Sequence, residues 1–400
     1  MNIVLVSPHF PPNYVNFSAA LRRRGAQVLG IVDQAPEELR AELREALTDV
    51  IRVDDLHRTD QVAAAVASFR DRYGPINRLE SHNEHWLDSD ARLRREFGIP
   101  GLKPDELVPM RRKSLMKEVF SRAGLSVARG RIVHDLEEAL GMVSEVGFPV
   151  VLKPDQGVGA TGTWKMRDRR ELERFFAEKP PVEMFMEEFI TGGIVTFDGL
   201  ADRDGRVVFC ASLRYADGMM EMVNDRLDIF LHTLRELPAD LVEAGSRAVA
   251  AFGLKERFFH LEFFRTSSDD RLVALEVNVR PPGGLILDMY NFSSDIDLFD
   301  EWARLLTETA YVPVPFERRY HCAFLGRRDG RRYAHDHESV LRAYGNLLVH
   351  QERVPAVFSP AMGDVCYLLR SPDMGVIREA ASYVLAPEQE APRDPAGPRA

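Results

Sequence analysis

Residues 258–280, FFHLEFFRTSSDDRLVALEVNVR, form two apolar runs with alternating polar residues on either side of a short polar segment. Alternation with a period of two is typical of half-buried β-strands, and the polar residues 266–270 are typical of a turn. The stretch therefore predicts an antiparallel hairpin. Because Glu262 and Glu276 are equally far from Asp269, a hairpin that is symmetric about Asp269 places their carboxylates directly opposite each other.

The opposed carboxylates need a positive partner, because like charges at one cross-strand position destabilise a sheet. A hard divalent cation such as Mg²⁺ is the natural candidate, with the side-chain oxygen of Asn278 as a further ligand and Arg280 close by. The alternative is an ordinary antiparallel pair with a solvated polar face. Residues 281–284, PPGG, form a rigid turn directly after Arg280. A solvated face has no need of such a turn, so we favour the metal site.

A second group of residues is suited to binding phosphate. Lys153 ends the apolar run 149–152, PVVL, and the glycine-bearing loop 155–162, DQGVGATG, follows. Glycines permit positive φ angles and let backbone N–H groups converge on an anion. The loop lacks the GK[ST] ending of a Walker A loop, so a plain hairpin turn is the alternative. Lys113 lies at the start of the predicted helix 112–122, where an ordinary surface lysine is the alternative.

The first hundred residues alternate strand-like and helix-like segments. Residues 3–6 and 28–32 are short apolar runs, and residues 62–73 and 87–97 repeat apolar side chains at helical spacing. Such alternation predicts a small doubly wound parallel sheet. Residues 7–12, SPHFPP, stand where a GxGxxG motif would follow the first strand, so we do not expect this domain to bind a dinucleotide.

The composition narrows the class of protein. The chain has 400 residues, of which 45% are hydrophobic and 28% charged, as in a globular protein of two or three domains. Its net charge of −10 argues against general affinity for nucleic acid or anionic membranes. The three cysteines have no metal-binding spacing, and the sequence has no signal-peptide pattern and no apolar run long enough to span a membrane. We therefore expect a soluble cytoplasmic protein.

Taken in order, these segments resemble the motifs of the ATP-grasp superfamily, over residues 1–385. The motifs are 112–117 (RKSLMK) followed by Ala123-Gly124, 147–154 (GFPVVLKP), the loop 157–162, 187–190 (EEFI), and Glu262 with 275–280 (LEVNVR). Further likeness, to the carboxylate–amine ligase branch that includes the L-amino acid ligases, lies in 280–284 (RPPGG), Asp297-Leu298, Asn83-Glu84 and 97–101 (FGIPG). The resemblance to biotin carboxylase is more distant.

The resemblance implies a role for each motif in binding ATP. Lys113 and Lys153 would be the two ATP-binding lysines. The lid over the phosphates would contribute Gly157, Gly159, Thr161 and Gly162. The hinge that binds the adenine would be formed by Glu187, Glu188, Phe189 and Ile190. Many members of the superfamily carry an acid after the hinge that holds the ribose, whereas this sequence has Ile194, so no ribose ligand is implied there.

The resemblance also implies the metal ligands and the catalytic residue. Glu262, Glu276 and Asn278 would bind Mg²⁺, with Mn²⁺ as an alternative. Arg280 would be the catalytic residue that handles the transferred phosphate or the acid substrate.

The implied fold class is mixed α/β and α+β, with an N-terminal doubly wound parallel sheet followed by a two-lobed ATP-grasp fold. The predicted divisions are a pre-ATP-grasp domain (1–105), a lobe with the glycine-rich lid (106–190), a lobe with the metal and catalytic residues (191–315), a C-terminal subdomain (316–386) and a disordered tail (387–400). The tail is rich in Pro and charged residues and has too little apolar surface to order itself.

The implied activity is that of an ATP-dependent C–N ligase, which forms an amide from a small carboxylic acid and an amine through an acyl phosphate and releases ADP. Amino acids are the expected substrates, and a homodimer is a common state among similar enzymes. Three alternatives remain at this point. They are a carboxylase-type enzyme that uses bicarbonate, a kinase-like enzyme, and a nucleotide-binding protein without turnover.

Overall fold

A computed structural model of the chain describes residues 1–157, 162–215 and 227–388. The predicted lid residues Gly159 and Thr161 lie outside the described residues. Contacts between Cα atoms divide the chain into two units. The first consists of Met1–Ser212, Leu237–Leu287 and Ile296–Phe316, and the second of Leu213–Glu236, Asp288–Asp295 and the described residues from Glu317 onwards.

The strands of the described residues alternate with helices in the N-terminal third and cluster in hairpins later in the chain. In chain order they are β1 (Asn2–Val6), β2 (Gln27–Val32), β3 (Asp49–Arg52), β4 (Arg78–Glu80), β5 (Gly130–Val133), β6 (Val150–Pro154), β7 (Trp164–Met166), β8 (Met184–Glu188), β9 (Gly192–Ala201), β10 (Val207–Ala211), β11 (Leu213–Tyr215), β12 (Ile229–Thr233), β13 (Arg257–Thr266), β14 (Leu272–Asn278), β15 (His321–Arg327), β16 (Leu348–Arg353) and β17 (Val365–Ser371).

The α-helices of the described residues are, in chain order, α1 (Val15–Arg23), α2 (Ala41–Ala46), α3 (Thr59–Tyr73), α4 (Leu87–Glu96), α5 (Pro104–Arg111), α6 (Lys113–Arg122), α7 (Leu136–Val146), α8 (Arg169–Glu178), α9 (Ala239–Ala251), α10 (Ile286–Ser294), α11 (Leu298–Thr307), α12 (His337–Tyr344), α13 (Ser359–Met362) and α14 (Met374–Val384). Short 3₁₀-helices occur at Pro12–Tyr14, Pro36–Glu38 and Glu84–Trp86. None of the described helices is long and apolar enough to span a membrane.

The N-terminal part of the first unit is the predicted doubly wound domain. Its four strands are parallel and lie in the order β3-β2-β1-β4. The side chains of β1 and β2 are almost all buried, as expected for a parallel sheet that is covered on both faces. The predicted fold class is therefore confirmed for this part of the chain.

Two antiparallel sheets make up the rest of the first unit. One has the order β5-β8-β6-β7 and packs against α7 and α8 through an apolar cluster that includes Met142, Leu152 and Leu172. The other contains β14, β13 and β9 in that order, and β10 also pairs with β9. The first sheet carries Lys153 and Glu187, and the second carries Glu262 and Glu276, so each antiparallel sheet supplies part of the predicted site.

The second unit contains an antiparallel sheet of β11, β12, β15, β17 and β16, in that order. At its C-terminal end, Tyr333 pairs with Pro387, and the N–H of Glu388 donates to the carbonyl of Arg332 at 3.1 Å. The predicted disorder is therefore wrong for residues 387 and 388. The rest of the predicted tail, 389–400, lies outside the described residues.

Gly245 in α9 marks a close approach between a helix and the sheet that carries the predicted metal ligands. A Cβ atom at this position would overlap with the ring of Phe197 on β9. Gly141 in α7 is a matched control, since a Cβ there would have only the side chain of Arg131 within 4 Å, at 3.8 Å.

We predict that Gly245→Ala lowers the free energy of unfolding by about 1–3 kcal/mol, because overpacking outweighs the better helix propensity of alanine. Gly141→Ala should instead raise it by up to about 1 kcal/mol. Urea unfolding followed by circular dichroism measures both values. Equal stabilisation by the two substitutions would contradict the close packing of α9 on β9.

Candidate active site

The hairpin of β13 and β14 has the predicted register. Glu262 lies opposite Glu276, and His260 lies opposite Asn278, before a register shift between Glu262 and Phe263. The two carboxylates therefore meet at one cross-strand position, as the symmetry about Asp269 predicts. Asn278 is the last residue of β14, and its side chain makes no hydrogen bond within the described part of the chain.

The two opposed carboxylates have different surroundings. Glu262 is 15% exposed, and one of its oxygens lies 3.6 Å from Nε2 of His260. Burial alone would raise the pKa of Glu262, but His260, together with the charges of Arg280 and Lys153, holds that pKa below its usual value. The carboxylate of Glu276 makes no hydrogen bond or ion pair within the described residues. Burial, and next the nearby charge of Glu262, raise the pKa of Glu276.

A chain of buried polar side chains supports Glu262 from behind. Nδ1 of His260 lies 2.7 Å from an oxygen of Asp198, and the hydroxyl of Thr196 donates to the other oxygen of Asp198 at 2.7 Å. Burial would lower the pKa of His260, but Asp198 offsets burial and raises that pKa to about 10. A charged His260 therefore faces Glu262. His260 lies two residues before Glu262 on β13, so period-two alternation places both side chains on one face, but the sequence alone indicated no role for it.

The two predicted ATP lysines lie near a third lysine that the sequence analysis missed. Nζ of Lys153 lies 2.5 Å from one oxygen of Glu187, and Nζ of Lys117 lies 3.3 Å from the other. Burial alone would raise the pKa of Glu187, but the two lysines lower it to about 2. The available signal for Lys117 was its spacing from Lys113, because residues four apart lie on one face of a helix.

Lys113 is buried at the start of α6, so the alternative of an ordinary surface lysine is wrong. Its Nζ donates to the carbonyl of Gly157 at 3.3 Å, which brings the helix to the beginning of the glycine-bearing loop. Burial lowers the pKa of Lys113, while the charge of Glu276 acts in the opposite direction. Gly162, at the other end of the loop, has a φ of +75°, a conformation that favours glycine.

The predicted hinge is the end of β8 and the residues after it. Glu187 points to the two lysines, whereas Glu188 accepts hydrogen bonds from the exposed Arg129. The N–H groups of Glu188 and Phe189 donate to the carbonyls of Arg129 and Pro149. The alternation along β8 thus separates two adjacent glutamates, which the sequence analysis had given the same function.

The remaining hinge residues, Phe189 and Ile190, and the later residue Ile194 have apolar side chains. The ring of Phe189 lies under Nζ of Lys165, 3.5 Å from the ring centroid. Ile190 follows it and is partly buried. Ile194 on β9 is 9% exposed and supplies no polar group at the position where a ribose ligand would stand.

Arg280 follows β14 and has its side chain fixed on two sides. Its Nε donates to Glu84 at 3.0 Å, and its Nη1 donates to the carbonyl of Pro281 at 2.8 Å. Glu84 also accepts from Arg111, the last residue of α5. The sequence analysis used Glu84 only as part of a motif and gave no role to Arg111.

The arrangement fits a divalent cation. The described residues contain no cluster of three or more His, Cys, Asp or Glu side chains that could hold a metal ion. They do contain an opposed carboxylate pair, with Asn278 two residue pairs away in the register and therefore on the same face of the hairpin. Mg²⁺ usually takes only one or two carboxylates from protein and completes its shell with phosphate oxygens and water. The carboxylate of Glu276, which has no partner among the described residues, and the nearby lysines therefore suit a metal that arrives with a phosphate group.

Comparison with known proteins finds a family match for part of the chain. Residues 146–288 match the ATP-grasp domain family, so the chain carries an ATP-grasp domain. The match includes Lys153, Glu187, Glu262, Glu276 and Arg280. The resemblance to the ATP-grasp superfamily is thereby confirmed for these residues.

The relatives agree with the predicted class of enzyme, an ATP-dependent C–N ligase. The L-arginine-specific L-amino acid ligase of Bacillus subtilis is 25% identical over 238 residues, which are 57% of each chain. The carbamoyl phosphate synthase large chain of Archaeoglobus fulgidus is 25% identical over 194 residues, which are 46% of this chain and 18% of that protein. The chain thus spans less than a fifth of the length of that synthase.

A solved structure covers nearly the whole chain. The L-amino acid ligase from Bacillus licheniformis superimposes with a TM-score of 0.74 over 96% of this chain and 97% of that one, at 15% sequence identity. This likeness confirms the predicted fold, an ATP-grasp fold with an N-terminal parallel sheet.

We predict that Glu187→Gln lowers the free energy of unfolding at pH 7 by about 3–5 kcal/mol, because it leaves Lys117 and Lys153 buried without a charged partner. Glu188→Gln is the matched control and should cost less than about 1 kcal/mol, since Arg129 is mostly exposed. Urea unfolding of both variants at pH 7 measures the difference.

The effect of Glu187→Gln should also depend on pH. A carboxylate whose pKa is lowered by folding stabilises the folded state above its unfolded pKa and loses this contribution as the pH falls. The stability gap between the wild type and Glu187→Gln should therefore shrink as the pH falls from about 4.5 towards about 2. A gap that stays constant over this range would show that Glu187 is not held ionised by the lysines.

Proposed function

We propose that the protein is an ATP-dependent carboxylate–amine ligase that forms an amide bond through an acyl phosphate and releases ADP and phosphate. The observation that carries the proposal is the opposed pair of Glu262 and Glu276 in a domain that matches the ATP-grasp family. A carboxylate pair with buried lysines nearby is suited to a metal-bound nucleotide. Within the described residues these groups all lie in one unit.

In this proposal Mg²⁺ is held by Glu262, Glu276 and Asn278, and Mn²⁺ can replace it. The bound metal supplies positive charge that neutralises phosphate oxygens. His260 holds the carboxylate of Glu262 in place, and the ion pair with Asp198 keeps the imidazole charged.

Lys113 and Lys153 bind the phosphates of ATP. Glu187 keeps Lys153 oriented, and Lys117 balances the second oxygen of Glu187. The proposed phosphate ligands also include Gly157, Gly159, Thr161 and Gly162, and the proposed adenine ligands are residues 187–190. Fixed positive charges suit phosphoryl transfer, where catalysis is mostly positioning and charge stabilisation.

The reaction has two steps. An oxygen of the acid substrate forms a bond to the γ-phosphorus of ATP while the bond to the β,γ-bridging oxygen breaks and ADP leaves. The amine nitrogen then forms a bond to the acyl carbon, phosphate leaves with the electron pair of the broken C–O bond, and the amine gives up a proton. Arg280 stabilises the negative charge of the phosphoryl group and of the acyl phosphate.

The substrates are a small carboxylic acid and a small amine, and we propose amino acids for both. Support comes from the named relatives, which include two L-amino acid ligases. A cytoplasmic location and a homodimer are part of the same proposal.

The proposal is tested by an ADP-release screen with ATP and Mg²⁺, in which amino acids are supplied singly and in pairs. Release that requires two partners, with an amide product detected by mass spectrometry, is the expected result. Release with one acid and no amide would point to a kinase-like enzyme, and release that depends on bicarbonate would point to a carboxylase. Either result, or ATP binding with no release under any condition, would contradict the proposal.

We predict that Glu276→Gln abolishes ADP release and leaves the protein at least as stable as the wild type. Glu276 has no partner in the described residues and faces a like charge, so its removal relieves repulsion in the absence of metal. Asp270→Asn, at the turn of the same hairpin, is the control and should retain activity. ADP release and thermal unfolding are measured for both, and substantial turnover by Glu276→Gln would remove Glu276 from the metal site.

A further inference from the structure

Glu84 lies between two guanidinium groups that come from distant parts of the chain. It begins the 3₁₀-helix Glu84–Trp86, shortly after β4 of the N-terminal sheet. One of its oxygens accepts from Nη1 of Arg111, and the other accepts from Nε of Arg280 at 3.0 Å. Glu84 is 13% exposed, Arg111 12% and Arg280 20%. The three charged groups therefore form a largely buried cluster.

The same segment of the chain also holds the backbone next to Arg280. Glu80, the last residue of β4, lies 3.4 Å from Nη2 of Arg257. Nη1 of Arg257 in turn donates to the carbonyl of Val279 at 2.6 Å. The end of β4 and the residues after it thus reach both the side chain of Arg280 and the peptide before it.

These contacts fix one orientation of the Arg280 side chain. Its Nε and Nη1 donate to Glu84 and to the carbonyl of Pro281, while its Nη2 makes no hydrogen bond within the described residues. A guanidinium is planar and rigid, so two fixed nitrogens determine the direction of the third. Within the described residues, both N–H groups of Nη2 remain available to a ligand.

We propose that Glu84 is a positioning residue that aims the Arg280 guanidinium at the reacting phosphoryl group, and that Arg111 holds Glu84 for this purpose. The kinetic part of this inference rests on the proposed function. The N-terminal sheet then takes part in catalysis through Glu84. It contributes geometry to the site and no group that touches the reacting atoms.

Loss of the Glu84 carboxylate should change the orientation of the Arg280 side chain. Arg111 and Arg280 would lie close together with no anion between them, and their mutual repulsion would turn Arg280 away from its present direction. The hydrogen bond from Arg280 to the carbonyl of Pro281 would remain, and so would the hydrogen bond from Arg257 to the carbonyl of Val279. Binding of ATP should therefore change little, whereas the rate of phosphoryl transfer should fall.

The test compares Glu84→Ala and Glu84→Gln with Asp88→Ala as the matched control. Asp88 lies 3.4 Å from Arg111 and is 46% exposed, so its loss removes the other carboxylate beside Arg111 without touching Arg280. Three quantities are measured on the full chain. They are kcat and KM for ADP release, binding of a non-hydrolysable ATP analogue, and the rate at which phenylglyoxal modifies Arg280, followed by mass spectrometry of its peptide.

We expect Glu84→Ala to lower kcat by about 10- to 100-fold with nearly unchanged binding of the ATP analogue, because a small misplacement of a catalytic group has effects of this size. Phenylglyoxal should modify Arg280 faster in Glu84→Ala, since its guanidinium has lost its carboxylate. Glu84→Gln keeps a carbonyl oxygen that can accept from Nε, so it should lie between the wild type and Glu84→Ala. Asp88→Ala should match the wild type in all three measurements.

Wild-type kcat and wild-type labelling of Arg280 in Glu84→Ala would overturn the proposal. A loss of activity in Glu84→Ala with wild-type labelling of Arg280 would also overturn it, since Glu84 would then act in some way other than through Arg280. If the wild type releases no ADP with any pair of substrates, the proposed function fails. The labelling rates and analogue binding still decide whether Glu84 holds Arg280, because neither depends on turnover.

Discussion

The opposition of Glu262 and Glu276 across the β13–β14 hairpin is the constraint on which the rest of the site depends. Two carboxylates at one cross-strand position repel each other, and partial burial strengthens that repulsion because it removes the screening effect of water. The fold offsets the charge of only one of them directly, through His260 and Asp198. Glu276 faces Lys113 and Lys153 only at longer range. A divalent cation between the two carboxylates would offset the repulsion that remains.

The buried lysines and arginines near the site share their carboxylate partners. Lys117 and Lys153 share Glu187, and Arg111 and Arg280 share Glu84, so each carboxylate serves two positive groups. The cluster of Lys117, Lys153 and Glu187 keeps one excess positive charge. An anionic ligand can therefore be attracted without any of these side chains having to leave its partner. In a protein with a net charge of −10, the positive charge for ATP has to come from such local clusters.

The parts of this arrangement that could be predicted from sequence are the local ones. The hairpin register followed from the alternation of side chains and a short turn, so the opposition of Glu262 and Glu276 was predicted correctly, whereas the register shift after Glu262 left no signal in the residue pattern. The parallel N-terminal sheet was predicted for the same reason, because strand and helix periodicity can be recognised within short windows.

The contacts that were missed join residues far apart in the chain. Glu84 and Arg280 are separated by 196 positions, and their contact depends on how separate sheets pack. Lys117 and Glu187 likewise meet only because α6 packs beside the sheet of β6 and β8. The roles of the two adjacent glutamates at the hinge also could not be predicted from the sequence. Period-two alternation separates Glu187 from Glu188, but only the tertiary structure shows which of the two faces the lysines.

The central claim is that Glu262 and Glu276 together hold a divalent metal that arrives with ATP. The most direct measurement is a Mn²⁺ titration followed by electron paramagnetic resonance, with a non-hydrolysable ATP analogue, of the wild type and of the double variant Glu262→Gln/Glu276→Gln. We predict Mn²⁺ binding that requires the analogue in the wild type, and an affinity weaker by at least about tenfold in the double variant. Equal Mn²⁺ affinity in the two proteins would contradict the account.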